Sequence, residues 1–214
     1  MIRFLHISDL HFNNDDMSSI RLRKKLIEYF REKNLHFDYI FCTGDLRTVN
    51  CKNNSFLKET SDYLRELCST TGTNISNLFI VPGNHDVDRE AEGRDETIKK
   101  VCFHRNGYYD PKYGTINDDD LEIINSGQIE FRDFLKTIYP EKRLEYYSNY
   151  LEPHFNIETP NFNILHVDST LTYTKDQEAS DLLIGTKPLQ NALNTINKNK
   201  PTFFLSHYPI ESLF

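Results

Sequence analysis

Tryptophan is absent from the 214 residues, and cysteine is sparse: Cys42, Cys51, Cys68 and Cys102, with no Cys-x-x-Cys pair. That usage excludes a disulfide framework and points to reduced thiols in a cytoplasmic protein, with Cys42 expected inside a core strand. No run approaches the roughly 18 apolar residues that a membrane span needs. The opening MIRFLHISDLHF turns polar too soon for a secretory leader. There is no internal repeat, no long Gly/Ser linker, and no Gly-x-Ser-x-Gly turn to carry a serine nucleophile. Bases are in deficit, 25 against 32 acids, for a net charge of -7. Such a balance argues against broad, unassisted binding to nucleic acid, although metal ions held by carboxylates would offset part of the deficit.

What is present suits one α/β domain spanning 1–214. Aromatic residues make up 13% of the chain, enough for a sizeable core beside an apolar share of 38%. IRFLHIS (2–8), FDYIFCTGD (37–45) and NLFIVPGN (77–84) are short apolar runs that end abruptly in polar residues, a buried-strand pattern. Between them, IRLRKKLIEYFREKN (20–34) and SFLKETSDYLRELCST (55–70) carry apolar residues at helical spacing. The resulting β-α-β-α-β order implies parallel strands covered by helices. From about 88 to 160 the pattern degrades into a variable insertion rich in charge, Asn and Tyr, with one helix expected near 126–138. Regularity returns with FNILHVDS (162–169), a helix near 188–198 and the strand TFFLSH (202–207).

The strand ends carry the chemistry. Three of the runs finish in Asp9-Leu10-His11, Gly44-Asp45 and Gly83-Asn84-His85-Asp86, and a fourth finishes at His207. In parallel α/β sheets the loops at the carboxyl ends of strands share one rim, where ligands bind. Asp9 and His11 are two apart, so an extended backbone would project both to one side. Gly44 permits a tight turn, Asp45 has two oxygens that can bridge two ions, and Asn84 offers a neutral amide oxygen. Mixed Asp, Asn and His ligation suits manganese, iron, zinc or nickel better than calcium or magnesium. Taken singly, Asp-x-His and Gly-Asp are weak signals. Gly-Asn-His-Asp is stronger: at roughly one in twenty per position, it arises by chance in about one chain in a thousand of this length.

HISDLHF, CTGDL, VPGNHD and LSHYP, in that order, resemble the successive motifs of the calcineurin-like metallophosphoesterase superfamily. The resemblance extends over nearly the whole chain apart from the insertion. It implies a four-layer α/β/β/α sandwich with two divalent metal ions, manganese first among them, at the strand ends. By that resemblance Asp9 and His11 hold one ion, Asp45 bridges, and Asn84 and His207 hold the other. His85 is then not a ligand but sits over the scissile phosphate, with Asp86 orienting its ring. The implied reaction is hydrolysis of phosphate esters, diesters before monoesters, by in-line attack of a hydroxide shared by the ions. Nucleic acid or a nucleotide is an expected substrate. The alternative is a non-catalytic binding or regulatory module on the same fold with an incomplete metal site.

The chain also departs from the family pattern. Family members carry a further Gly-His-x-His motif, and no His-x-His occurs up to Phe214. We expect the remaining strands, ligands and further domains to lie beyond Phe214, which leaves activity of residues 1–214 alone in doubt. After Gly44-Asp45 the sequence reads LRTVN, without the acidic or aromatic residue of several subfamilies. Gly-Asn-His-Asp rather than Gly-Asn-His-Glu points away from protein phosphatases and toward phosphodiesterases, nucleases and bacterial multidomain proteins. His6, His166 and Asp168 are expected to be structural, and RLRKK (21–25) a solvated helix face. Arg89 and Arg94 follow the motif closely enough to be weighed as phosphate contacts. The Tyr-rich insertion could stack bases, form a lid, or be an ordinary surface excursion.

Overall fold

The computed structural model describes residues 1–12, 17–48, 55–102, 117–149, 151–174 and 182–213. His104, Cys51 and the Tyr-rich stretch 106–114 fall outside them. The first half alternates as the sequence predicts: β1 (Phe4–Ile7), α1 (Met17–Glu32), β2 (Tyr39–Cys42), α2 (Ser55–Thr71) and β3 (Leu78–Ile80). The strands pair in parallel in the order β1-β2-β3, with Leu5 opposite Ile40 and Ile40 opposite Leu78. Each crossover is a helix, the connection that parallel neighbours require. β2, the central strand, is buried along its whole length, as expected of a strand covered on both faces.

One face of this sheet meets helices. Ile27 and Phe30 of α1 and Leu64 and Leu67 of α2 pack with Ile40, Cys42, Leu78 and Ile80. Phe134 and Leu135 join the same cluster; they belong to α5 (Ile129–Ile138). The opposite face meets a second sheet, formed by β4 (Phe155–Glu158), β5 (Asn163–His166) and β6 (Thr202–Leu205). Tyr39, Phe41, Phe79 and Val81 from the first sheet interlock with Ile157, Phe162, Ile164 and Leu205 from the second. Fully burying a side chain of this size contributes about 1.5–3 kcal/mol, so both interlayer cores count heavily. The outer face of the second sheet is covered by α7 (Thr186–Asn194), with Ala192 packed among Leu165, Val167 and Ile184. The layers therefore run helix, sheet, sheet, helix.

The segment 88–160 holds far more regular structure than its sequence pattern predicts. It contains α3 (Arg94–Cys102), α4 (Asp118–Asn125), α5, α6 (Glu141–Ser148) and the strand β4. The missed helices are short and bury few apolar residues each, so their helical period is faint. Local capping compensates in α4, where the Asn117 side chain accepts the backbone N–H of Asp120. β4 was missed because it alternates weakly, with Ile157 its one fully buried side chain. It runs antiparallel to β5, whereas β6 runs parallel to it. Among the described residues no helix is long and apolar enough to cross a membrane.

Candidate metal centre

The loops leaving β1 and β2 run side by side. Asp9 N–H donates to Gly44 carbonyl, His11 N–H to Asp45 carbonyl and Phe12 N–H to Leu46 carbonyl, at 3.0, 3.0 and 2.8 Å. To make that ladder the chain leaves extended geometry: φ is 58° at Asp9, 44° at His11, 53° at Asp45 and 90° at Gly44. This corrects the extended Asp-x-His expected from the sequence. Left-handed conformations cost a non-glycine residue on the order of 1–3 kcal/mol, and they gather where function requires them. Asp9 Oδ1 and His11 Nε2 still meet, 3.7 Å apart.

Asp45 is the hub, its side chain only 5% exposed. Its Oδ2 faces His11 Nε2 at 4.0 Å and His85 Nε2 at 3.8 Å, while its Oδ1 faces His207 Nε2 at 3.7 Å. The backbone N–H of His85 donates to Oδ1 at 2.9 Å, tying the Gly-Asn-His-Asp turn to the same carboxylate. Donor atoms of His11, Asp45 and His85 all lie within 4.8 Å of one another. On the far side, His207 Nε2 is 3.1 Å from Asn84 Oδ1. The carbonyl of Thr43 accepts from His207 Nδ1 at 2.6 Å. With the ring proton fixed on Nδ1, a neutral His207 turns the Nε2 lone pair toward an amide oxygen, which is also an acceptor. Two acceptors in contact are relieved by a cation between them, so this donor set fits a metal ion.

Asp9, His11, Asp45, Asn84, His85 and His207 thus converge on one small volume. Asp86 stands apart from the role expected of it. Its carboxylate accepts the backbone N–H groups of Gly83 (2.8 Å), Leu46 (3.0 Å) and Arg47 (3.3 Å) and makes no hydrogen bond to the ring of His85. His85 Nδ1 is buried with no hydrogen-bond partner among the described residues. Asp86 therefore staples the Gly-Asn-His-Asp turn to the Gly-Asp loop. Burial pushes its carboxyl up to about 6 against the pull of those N–H donors. Burial also lowers the pKa of His85; the charge of Asp45 opposes the shift, and His11, Arg89 and His207 add to it.

Several supporting residues escaped the sequence pattern. Arg47, the second residue after Gly44-Asp45, donates from Nε to His85 carbonyl at 3.0 Å and from Nη2 to Asp86 carbonyl at 3.4 Å, and it pairs with Glu130. Arg23, within the basic run of α1, donates to Leu10 carbonyl at 2.6 Å and lies 4.2 Å over the ring of Phe12, pinning the loop between Asp9 and His11. The Tyr208 hydroxyl donates to Asn84 Oδ1 at 3.0 Å. A visible signal existed for Tyr208, which follows His207 directly, but none for Arg23 or Arg47, whose roles depend on carbonyls distant in sequence. Arg94 moves the other way. It is fully buried and donates to the carbonyls of Ile124, Tyr173 and Leu171, so it is not a phosphate contact. His6 keeps a hydrogen-bond contact, to Thr43 Oγ1 at 2.8 Å, but is exposed rather than in the core. His166 and Asp168 are buried, held by Ile80 carbonyl and by Gln128 and Thr170.

A family model described as calcineurin-like phosphoesterase matches residues 2–213. A curated relative from Bacillus subtilis (strain 168), described as the uncharacterized metallophosphoesterase-like protein YydB, is 28% identical over 205 residues. The alignment takes in 93% of this chain and 40% of the relative, so the chain spans about two fifths of that protein's length.

Proposed function

The chain belongs to the calcineurin-like phosphoesterase family, and on that premise we propose that it hydrolyses phosphodiesters with two divalent ions, manganese first, held about Asp45. The supporting observation is the division of the Asp45 carboxylate, Oδ2 toward His11 and His85 and Oδ1 toward His207. Asp9, His11 and Asp45 would hold one ion, and Asp45, Asn84 and His207 the other. Bound there, the ions supply Lewis acidity toward the phosphoryl group and lower the pKa of water.

The remaining steps belong to side chains. Thr43 carbonyl fixes the His207 tautomer, and Arg23 holds Leu10, so the ligands are set before a metal arrives. His85, its Nε2 3.8 Å from Asp45 Oδ2, would in its imidazolium form pass a ring proton to the departing oxygen and be left as neutral imidazole. Its distances would equally admit it as a ligand, and substitution separates the two roles. We place the protein in the cytoplasm and its substrate among nucleotides or nucleic acids.

The test is turnover of bis-p-nitrophenyl phosphate against p-nitrophenyl phosphate with added manganese. Metal-stimulated hydrolysis of the diester, faster than the monoester, is expected; no stimulated turnover of either sinks the reading and favours a binding module. His85→Ala should lower kcat at least about 100-fold, within the usual range for a general acid, while metal content by elemental analysis stays within a factor of two. Joint loss of metal and activity would make His85 a ligand instead.

A further inference from the structure

Arg89 lies just past the Gly-Asn-His-Asp turn, and its surroundings are built. Its guanidinium carbon sits 4.8 Å over the ring of Tyr173, and Nη2 donates to the carbonyl of Asn84 at 3.3 Å. Tyr173 in turn stacks on Tyr208, ring centres 6.1 Å apart and planes 22° from parallel. Tyr208 closes the circuit through its hydroxyl, which donates to Asn84 Oδ1. The backbone beneath Tyr173 is fixed as well, since buried Arg94 donates to its carbonyl at 2.7 Å. Both ends of this Arg–Tyr–Tyr row are thus fastened to Asn84, one to its backbone and one to its amide oxygen.

Among the described residues no carboxylate lies within ion-pair distance of Arg89. Arg23, Arg47 and Arg94 are committed elsewhere: Arg23 to Leu10 carbonyl, Arg47 to Glu130 and two carbonyls, Arg94 to three carbonyls. A guanidinium has five N–H donors in a planar fork that matches two oxygens of a phosphate. An aromatic face under it holds that plane while leaving the edge donors available.

We propose that Arg89, braced by Tyr173 and Tyr208, is an anion subsite beside the metal centre that takes a non-bridging oxygen of the substrate's phosphate. This deepens the phosphodiesterase reading and rests on it for the identity of the substrate, but it makes a separate claim about binding. Tyr173 is a positioning residue, acting through Arg89 and not on the phosphate itself.

The test is equilibrium binding of inorganic phosphate, by calorimetry, to the manganese-loaded protein and its variants. A charge-assisted hydrogen bond contributes about 1.5–3 kcal/mol. Arg89→Ala should therefore weaken phosphate roughly 10- to 100-fold with metal content unchanged, and Arg89→Lys should recover part of the loss. Tyr173→Leu should weaken it about 3- to 10-fold, and Tyr173→Phe should restore it. In the pair Arg89→Ala with Tyr173→Leu, the second change should add nothing. Phosphate affinity within twofold of the parent in Arg89→Ala overturns the subsite. Losses that add in the double variant overturn the bracing role. If Tyr173→Leu does not fold, Tyr208→Phe replaces it, with a smaller loss expected that again vanishes in the Arg89→Ala background. The outcomes stay separable from those of the catalytic proposal. Diester turnover with Arg89-independent phosphate binding removes the subsite alone, whereas Arg89-dependent binding without turnover removes the hydrolase alone.

Discussion

At the scale of single residues, the convergence on Asp45 depends on two glycines as much as on its polar side chains. The Gly44 and Gly83 backbones touch: a Cβ on Gly44 would fall on the nitrogen and Cα of Gly83, and one on Gly83 would fall on the Asp45 nitrogen and Oδ1. Gly83 has an ordinary φ of -101°, so its requirement is space and not conformation. Gly83→Ala should therefore displace the Asp45 carboxylate, lowering manganese affinity at least about 10-fold and stability by on the order of 3 kcal/mol. Metal titration and urea unfolding read the two effects, and unchanged metal affinity would show that Asp45 is not the hub. The side chains that converge on Asp45 were legible as a group because their types are written in the sequence: Asp, Asn and His at four strand ends. Asp86 was legible as a neighbour of that group but not in its contacts. An acid after a histidine looks like a ring partner, and three backbone N–H groups reaching it from other loops cannot be seen in sequence.

Elements were readable in proportion to the apolar surface they bury. β1 to β3, α1 and α2 announce themselves because each contributes several side chains to a large core. α3 offers little beyond Ile98 and Val101 to its cluster, and polar contacts take over. Arg94, at its first turn, donates to Ile124 at the end of α4 and to Leu171 and Tyr173 in the loop after β5. Burial lowers the guanidinium to about 10, which leaves it charged at neutral pH. A Cβ on Gly127 would come within 2.7 Å of the Arg94 Nε, so the packing here admits no slack. Arg94→Met strands buried carbonyls on two elements and should cost about 3 kcal/mol or more, read as a lowered urea midpoint. The same change should loosen Tyr173, so phosphate affinity should fall with it. A stable variant with unaltered phosphate binding would sever α3 from the site.

At the scale of the whole molecule, the β3 edge is tied to the second sheet and to the α5–α6 segment by groups that must stay neutral. Ile80 carbonyl accepts from Tyr147 hydroxyl and from His166 Nε2, both at 3.0 Å, and Leu78 carbonyl accepts from Tyr139 hydroxyl at 3.1 Å. His166 thus spends its one proton on Nε2, while Nδ1 is buried with no hydrogen-bond partner among the described residues, in a ring stacked on Phe155 with centres 4.2 Å apart. A second proton has nowhere to bond, and burial lowers the His166 pKa to about 3. His154, buried nearby, is lowered for the same reason. In the unfolded chain each imidazole titrates near 6.5. Between about pH 6.5 and 3 the unfolded state therefore binds more protons at His166, His154 acts in the same direction, and stability falls as pH falls, by about 1.4 kcal/mol per pH unit for each proton. Asp86 works in the opposite sense. With its folded carboxyl raised to about 6, it contributes stability at low pH that is lost as pH rises through that value. The wild-type slope is the difference between these effects, so a substitution is needed to isolate one. His166→Gln can still donate to Ile80 but cannot titrate. Measured on metal-free protein by urea unfolding from pH 7 to 4, it should be less stable than wild type at pH 7. Its stability should also decline more gently by about one proton's worth of slope below pH 6. Parallel curves for the two proteins would mean that His166 is protonated in the folded state and that the inter-sheet seam tolerates the charge.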